Sequence, residues 1–212
     1  MAGLRDKQKE RRREAIMAAA ANLFKKKGFA AAAMEEIAAA AELSVGTVYN
    51  YFKTKGDICL AIYRADRDLV QAATDKVIAH PPADPVAAIC KLMETDFETE
   101  LDFIDRAVWE SLLVAAFTAE AHLAAELIDD DFKRIGQFEK LLTALQARGH
   151  LGAGVDVKSA AELLGALNLL YFINWVVAMR SGAGATSGSM LSAATRKVLR
   201  RQVAQLVDGL KG

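Results

Sequence analysis

Apolar residues recur at helical spacing along nearly the whole chain, and no stretch alternates convincingly enough for a strand. From Asp6 to Lys27, Ile16, Ala19, Ala20, Leu23 and Phe24 fall on one face with charge opposite, and Gly28 is placed to stop that helix. Two short helices are predicted next, Met34 to Ala41 and Val45 to Phe52, the second with Ser44 as N-cap. Lys55-Gly56-Asp57 opens a longer helix to about His80. All three prolines sit in the segment HPPADP, which breaks the chain and supplies Asp84 as cap and Pro85 as first residue of the next helix. Helices follow at about 85–101, 103–118, 120–148, 157–180 and 189–209. The glycines of GHLGAG and SGAGATSG separate the last three, and Asp156 caps the helix that begins VKSAAELL. The pattern predicts an all-α protein: a three-helix head over residues 1–56, then a helical body over 57–212 made of a connecting helix and five more.

Composition agrees with this. Hydrophobic residues make up 53% of the 212, yet aromatics only 7%, and alanine, the best helix former, comes in runs. The formal net charge is zero, but it is unevenly spread. Residues 1–58 hold eleven Lys and Arg against seven Asp and Glu, and residues 59–212 hold sixteen against twenty. A basic N-terminal unit on an acidic body suits a polyanion bound at one end. The two cysteines, Cys59 and Cys90, form no framework, and the N-terminus lacks the apolar segment of a secretory signal, so a reducing cytoplasm is expected. The longest uncharged run, Leu163 to Met179, would be about 25 Å of helix against a hydrocarbon core of about 30 Å. With Asn168 and Asn174 inside it, it is expected to be a buried helix rather than a membrane span.

Two short helices joined by a tight turn and braced by a longer one make a helix-turn-helix, whose second helix can enter the major groove of DNA. On that second helix Val45, Val48 and Phe52 group toward the core, with Tyr49 at the edge. Gly46, Thr47, Asn50 and Tyr51 face outward. Amides and hydroxyls there suit base edges and phosphates, while Lys55 and the N–H groups at the start of the following helix suit a phosphate.

The segment GFAAAAMEEIAAAAELSVGTVYNYFKTKGDI resembles the DNA-binding head of the tetracycline-repressor family of bacterial transcriptional regulators. That family's pattern runs Gly-Phe or Gly-Tyr, then Ile-Ala, then Ser-x-Gly-x-x-Tyr-x-Tyr-Phe-x-x-Lys. It falls here on Gly28-Phe29, Ile37-Ala38, Ser44, Gly46, Tyr49, Tyr51-Phe52 and Lys55. The resemblance covers roughly residues 10–60. Carried over residue by residue, it implies that Val45, Gly46, Tyr49 and Asn50 lie at the bases and that Thr47, Tyr51 and Lys55 hold phosphates. Two positions depart from the pattern. Ala32 and Ala33 stand where a capping threonine pair is frequent, and Glu42 stands where the turn usually has glycine, which puts affinity rather than function in question.

The resemblance further implies a homodimer whose body binds a small-molecule effector. Apolar residues surround the 157–180 helix, and Leu191, Val198, Gln202, Leu206 and Leu210 recur along the last one, as a dimeric four-helix bundle requires. Effector-contact candidates are Met93, Phe97, Trp109, Phe117 and Phe138, with Asn168, Tyr171, Phe172 and Trp175 from the 157–180 helix. They are apolar or adaptable, with no cage of charges, so a mainly apolar effector is expected.

No phosphate-binding glycine loop, nucleophile elbow or metal-ligand set is present, so no catalytic residues, metal or cofactor are assigned. His122 and Glu126 stand four apart, but zinc needs three or four ligands. The expected function is a ligand-responsive repressor that binds a palindromic operator as a homodimer. The alternatives are a helical small-molecule-binding protein or enzyme with a vestigial head, or an activator.

Overall fold

The computed structural model describes residues 3–99, 101, 104, 106–118, 120–177 and 191–209. Among them there are only helices, in the order α1 (Leu4–Ala31), α2 (Met34–Ala40), α3 (Val45–Tyr51), α4 (Lys55–Ala79), α5 (Pro85–Glu98), α6 (Arg106–Thr118), α7 (Ala121–Ala147), α8 (Val157–Val177) and α9 (Ala193–Gly209). The all-α expectation holds.

The local signals act where the sequence placed them. Gly28 adopts φ 79°, ψ 164°, a left-handed conformation that breaks α1 and turns its last residues aside. Asp84 accepts from the Ala87 N–H at 3.0 Å, ahead of Pro85. Asp156 accepts from the Ser159 N–H at 3.2 Å and so caps α8. Helix α5 stops at Glu98, three residues short of expectation, because Thr99 is already extended. Helix α9 starts at Ala193, where Ser192 Oγ accepts from the Thr195 N–H at 3.1 Å. The expected stretch 189–190, the SGAGATSG segment and Leu210 lie outside the described residues.

The chain divides into two compact units, Met1–Arg67 with Leu101–Leu127, and Asp68–Glu100 with Ile128–Gly212. Helices α4 and α7 each contribute residues to both. In the first unit, Ile16, Ala20 and Phe24 of α1, Ile37 of α2, Val48 of α3, Ile58 and Ile62 of α4 and Leu112 of α6 are fully buried. The Ser111 hydroxyl on α6 donates to the Phe24 carbonyl at 3.1 Å, fixing α6 against α1. Trp109 meets Tyr63 edge-on with centroids 5.8 Å apart and carries the Arg67 guanidinium 5.2 Å above its ring. Cys59 lies in the same core, and burial, reinforced by Glu120, pushes its thiol well above the usual range. It stays protonated and serves as a small apolar side chain.

In the second unit, Ile89, Leu92 and Met93 of α5 pack with Leu141, Leu142 and Leu145 of α7, Leu164 of α8 and Leu199 and Val203 of α9. Two polar clusters are embedded there. Gln137 donates to Gln71 Oε1 at 2.9 Å and to Thr74 Oγ1 at 2.8 Å. Asp96 accepts from Arg134, and from Asn168 Nδ2 at 2.9 Å. Helix α8 is long and apolar enough to cross a membrane, but Ala160, Ala161, Leu164 and Asn168 bury one of its faces in this core. Its other face leaves Leu163, Leu169 and Leu170 38–58% exposed.

Helices α7 and α8 approach closely where α8 has no side chain. A Cβ on Gly165 would sit 2.5 Å from Ile135 Cγ1, whereas one on Gly136 would meet nothing within 4 Å. Gly165→Ala is therefore expected to lower unfolding free energy by about 1–3 kcal/mol through overpacking. Gly136→Ala, relieved of glycine's entropy, should raise it by about 0.5–1 kcal/mol. Urea denaturation of both variants checks this, and a stabilised Gly165→Ala would mean that the two helices separate at little cost.

Candidate nucleic-acid interface

The interface is built from α2, a four-residue turn and α3. The N-cap of α2 is Ala33, whose side chain cannot cap. Glu36 supplies part of what the missing threonine would: its carboxylate accepts from the Ala33 N–H at 3.0 Å and from Lys27 Nζ at 2.6 Å. The Lys27 ammonium and then that N–H hold the Glu36 carboxyl below the usual carboxylate range, so it stays ionised at neutral pH. The expected loss of a cap is thus partly offset by the acidic half of a capping box.

The turn places Glu42 at φ 56°, the left-handed conformation that the pattern's glycine would adopt without strain. Its side chain is exposed, so the departure costs about 1–2 kcal/mol of local strain and leaves the helix-turn-helix geometry in place. Ser44 then caps α3. Its Oγ accepts from the Thr47 N–H at 3.2 Å and lies 2.8 Å from Thr47 Oγ1. Val48 is fully buried and Phe52 nearly so, which locks α3 to the head's core along the predicted seam. Val45 and Tyr51 are half-buried, and Gly46, Tyr49 and Asn50 are exposed. One end of α3 is therefore anchored by apolar contacts while a glycine, a phenol and an amide stay accessible on its outer side.

Lys55 is differently engaged. Its ammonium donates to the carbonyls of Phe29 at 2.9 Å and Ala30 at 3.1 Å, and lies 4.8 Å from the Phe29 ring centre. These carbonyls end α1, so Lys55 satisfies groups that the helix leaves unpaired, a role the sequence reading did not anticipate. To reach a phosphate it would have to give them up. The start of α4 also has an internal anion: Asp57 Oδ2 accepts from the N–H groups of Lys53 and Thr54, both at 2.9 Å. Lys53 Nζ donates to the Tyr49 carbonyl at 2.8 Å.

The effector-contact candidates fall into two groups. Met93, Phe97, Phe138 and Asn168 are buried in the second unit, with Tyr171 and Phe172 packed against the same core. Trp175 stacks obliquely on Phe172 at 6.4 Å, and the Tyr171 hydroxyl donates to Gln202 Oε1 at 2.7 Å. Trp109 belongs to the first unit, against Tyr63, and Phe117 on α6 is 78% exposed. Glu126, half of the weighed metal pair, takes a hydrogen bond from Arg64 at 2.5 Å.

Residues 16–62 match the model of the bacterial regulatory proteins of the tetR family, the region that contains α2, α3 and the turn between them. A search among curated proteins finds no match. Among solved structures, the fold is similar to GusR of Salmonella enterica, at 21% identity over 93% of this chain and 95% of that one, with a TM-score of 0.64. It is also similar to the TetR family transcriptional regulator PfmR from Thermus thermophilus, at 22% identity over 92% and 98%, TM-score 0.62. A third is the fatty acid degradation regulator FadR from Bacillus halodurans, at 18% identity over 90% and 93%, TM-score 0.64.

Proposed function

We infer that this chain, whose N-terminal head belongs to the tetR family of bacterial regulatory proteins, is a DNA-binding transcriptional regulator that acts as a ligand-responsive repressor in the cytoplasm. Its head, residues 1–56, reads a palindromic operator as a homodimer, and its body, residues 57–212, binds a small, mainly apolar effector that releases the DNA. The observation that carries this reading is α3: anchored by Val48 and Phe52, it leaves Gly46, Tyr49 and Asn50 open on the basic N-terminal head. Val45, Gly46, Tyr49 and Asn50 are assigned to bases and Thr47, Tyr51 and Lys55 to phosphates.

Dimerisation is assigned to the outer faces of α8 and α9, where Leu163, Leu169, Leu170 and Val198 are exposed together with small residues such as Ala166. An apolar face of this kind is suited to burial against a second copy of itself. Effector binding is assigned to the apolar residues around Asn168. That amide is 1% exposed, and its orientation is set because a carboxylate only accepts hydrogen bonds, so Nδ2 must face Asp96. Oδ1 is then left without a partner among the described residues. An effector with a hydroxyl or N–H donor would satisfy it. Release follows if the effector binds one spacing of the two heads better than the other, a shift of population that can be no larger than that difference in affinity.

Selection of genomic DNA fragments by the purified protein, then titration of the best fragment at two salt concentrations, tests the reading. A palindromic motif is expected. Tyr51→Ala should weaken binding to every sequence alike while leaving the salt slope as it is, because a neutral phenol on a phosphate displaces no counterion. A loss confined to particular sequences would remove Tyr51 from the phosphate contacts, and no motif at all would remove the operator.

A further inference from the structure

We propose that the second unit carries a surface cleft that binds a small amphipathic anion, a carboxylate or phosphate monoester with a short apolar stem. The cleft lies between the end of α4, the start of α5 and the middle of α9, with a volume of about 490 Å³. Small-molecule sites fall in the range of about 300–1,000 Å³. Val77, Pro82, Ala87 and Cys90 give it an apolar lining. Cys90 is only 5% exposed, and burial pushes its thiol up to about 11, so it stays neutral and belongs with the apolar side chains.

The charge around that lining runs against the body's own. Residues 59–212 carry four more acids than bases, yet the cleft presents Lys76, Lys91 and Arg200 against one acid, Glu94, with His80 beside them. Glu94 is already directed to Arg196, at 3.5 Å. Asp84 stands 3.6 Å from Arg200, but both side chains are more than half exposed and the pair is loose. Among the described residues no salt bridge engages Lys76 or Lys91. Lys76 and Lys91 thus stand beside a loosely paired Arg200 with fewer acids than bases around an apolar lining, and an anion with an apolar tail would meet that excess charge and cover the lining at once. The cleft uses Arg200 on α9, whereas the outer side of that helix assigned to the dimer carries Val198, so both can be occupied together. Nothing in this site depends on the effector reading or on Asn168.

Calorimetric titration of the full chain with octyl phosphate and with octanoate tests it, with 1-octanol and inorganic phosphate as partial probes. One saturable site per chain is expected for at least one of the two anions, and the preferred one identifies the headgroup. Inorganic phosphate and 1-octanol should each bind at least tenfold more weakly. The pair Lys76→Gln, Lys91→Gln should lower the anion's affinity at least tenfold while melting temperature and DNA affinity stay as they are. Absence of saturable binding by both anions would overturn the site. So would equal binding of 1-octanol, or an affinity unchanged in the double variant, since the cleft's lysines would then take no part in holding the anion.

Discussion

Replacing Asp96 by Ala is expected to lower the stability of the protein by about 3 kcal/mol, the largest single loss we foresee outside the apolar core. Asp96 lies on α5, where it accepts hydrogen bonds from Arg134 on α7 and Asn168 on α8, and it is 8% exposed. Without it, a guanidinium whose side chain is only 16% exposed loses its counter-charge, and the buried Asn168 Nδ2 loses its acceptor. The cost should fall at the low end of the range for a broken buried pair, because Arg134 reaches some solvent and has Asp131 4.0 Å away. Replacing all three residues at once, Asp96→Leu, Arg134→Met and Asn168→Leu, removes the carboxylate together with the guanidinium and amide bonded to it and should recover much of the loss. Urea unfolding with an unchanged m-value distinguishes the two variants. A loss under about 1 kcal/mol for Asp96→Ala would mean that water reaches the cluster and that Asn168 Oδ1 is already satisfied.

The same cluster marks the limit of what the sequence discloses. Asn168 stood out as an amide amid leucines, and its need for a partner followed from composition alone. Asp96, 72 positions earlier, gave no sign of being that partner, because a carboxylate in an amphipathic helix looks the same whether it faces water or an arginine from elsewhere. Lys55 is a second case. Its spacing matches a family pattern, but its bonds to the Phe29 and Ala30 carbonyls depend on the turn that Gly28 introduces and on how α4 returns past α1. Ser111 on Phe24, 87 positions apart, is a third. By contrast, the helices, the break at Gly28, the caps at Ser44, Asp84 and Asp156 and the left-handed Glu42 are decided within a few residues and were legible. The compensation at Ala33 went unread, although Glu36 stands at the third helical position where a capping box places its acid.

Gly46→Ala should separate what the head needs for folding from what it needs for DNA. Gly46 is helical and exposed, and a Cβ built on it would meet nothing within 4 Å. Nothing in the folded head therefore requires glycine there, and helix propensity favours alanine by about 0.5–1 kcal/mol in a helix interior, somewhat less in a first turn. Melting temperature should hold or rise. Operator affinity should nonetheless fall at least tenfold, about 1.4 kcal/mol, if the backbone at this position lies against the DNA and leaves no room for a methyl group. A more stable protein that binds its operator less well is an outcome that a purely structural role for the exposed face of α3 does not produce. If affinity is instead unchanged, Gly46 is not at the point of closest approach, and the reading of bases passes to Tyr49 and Asn50, whose replacement by alanine must then carry the loss.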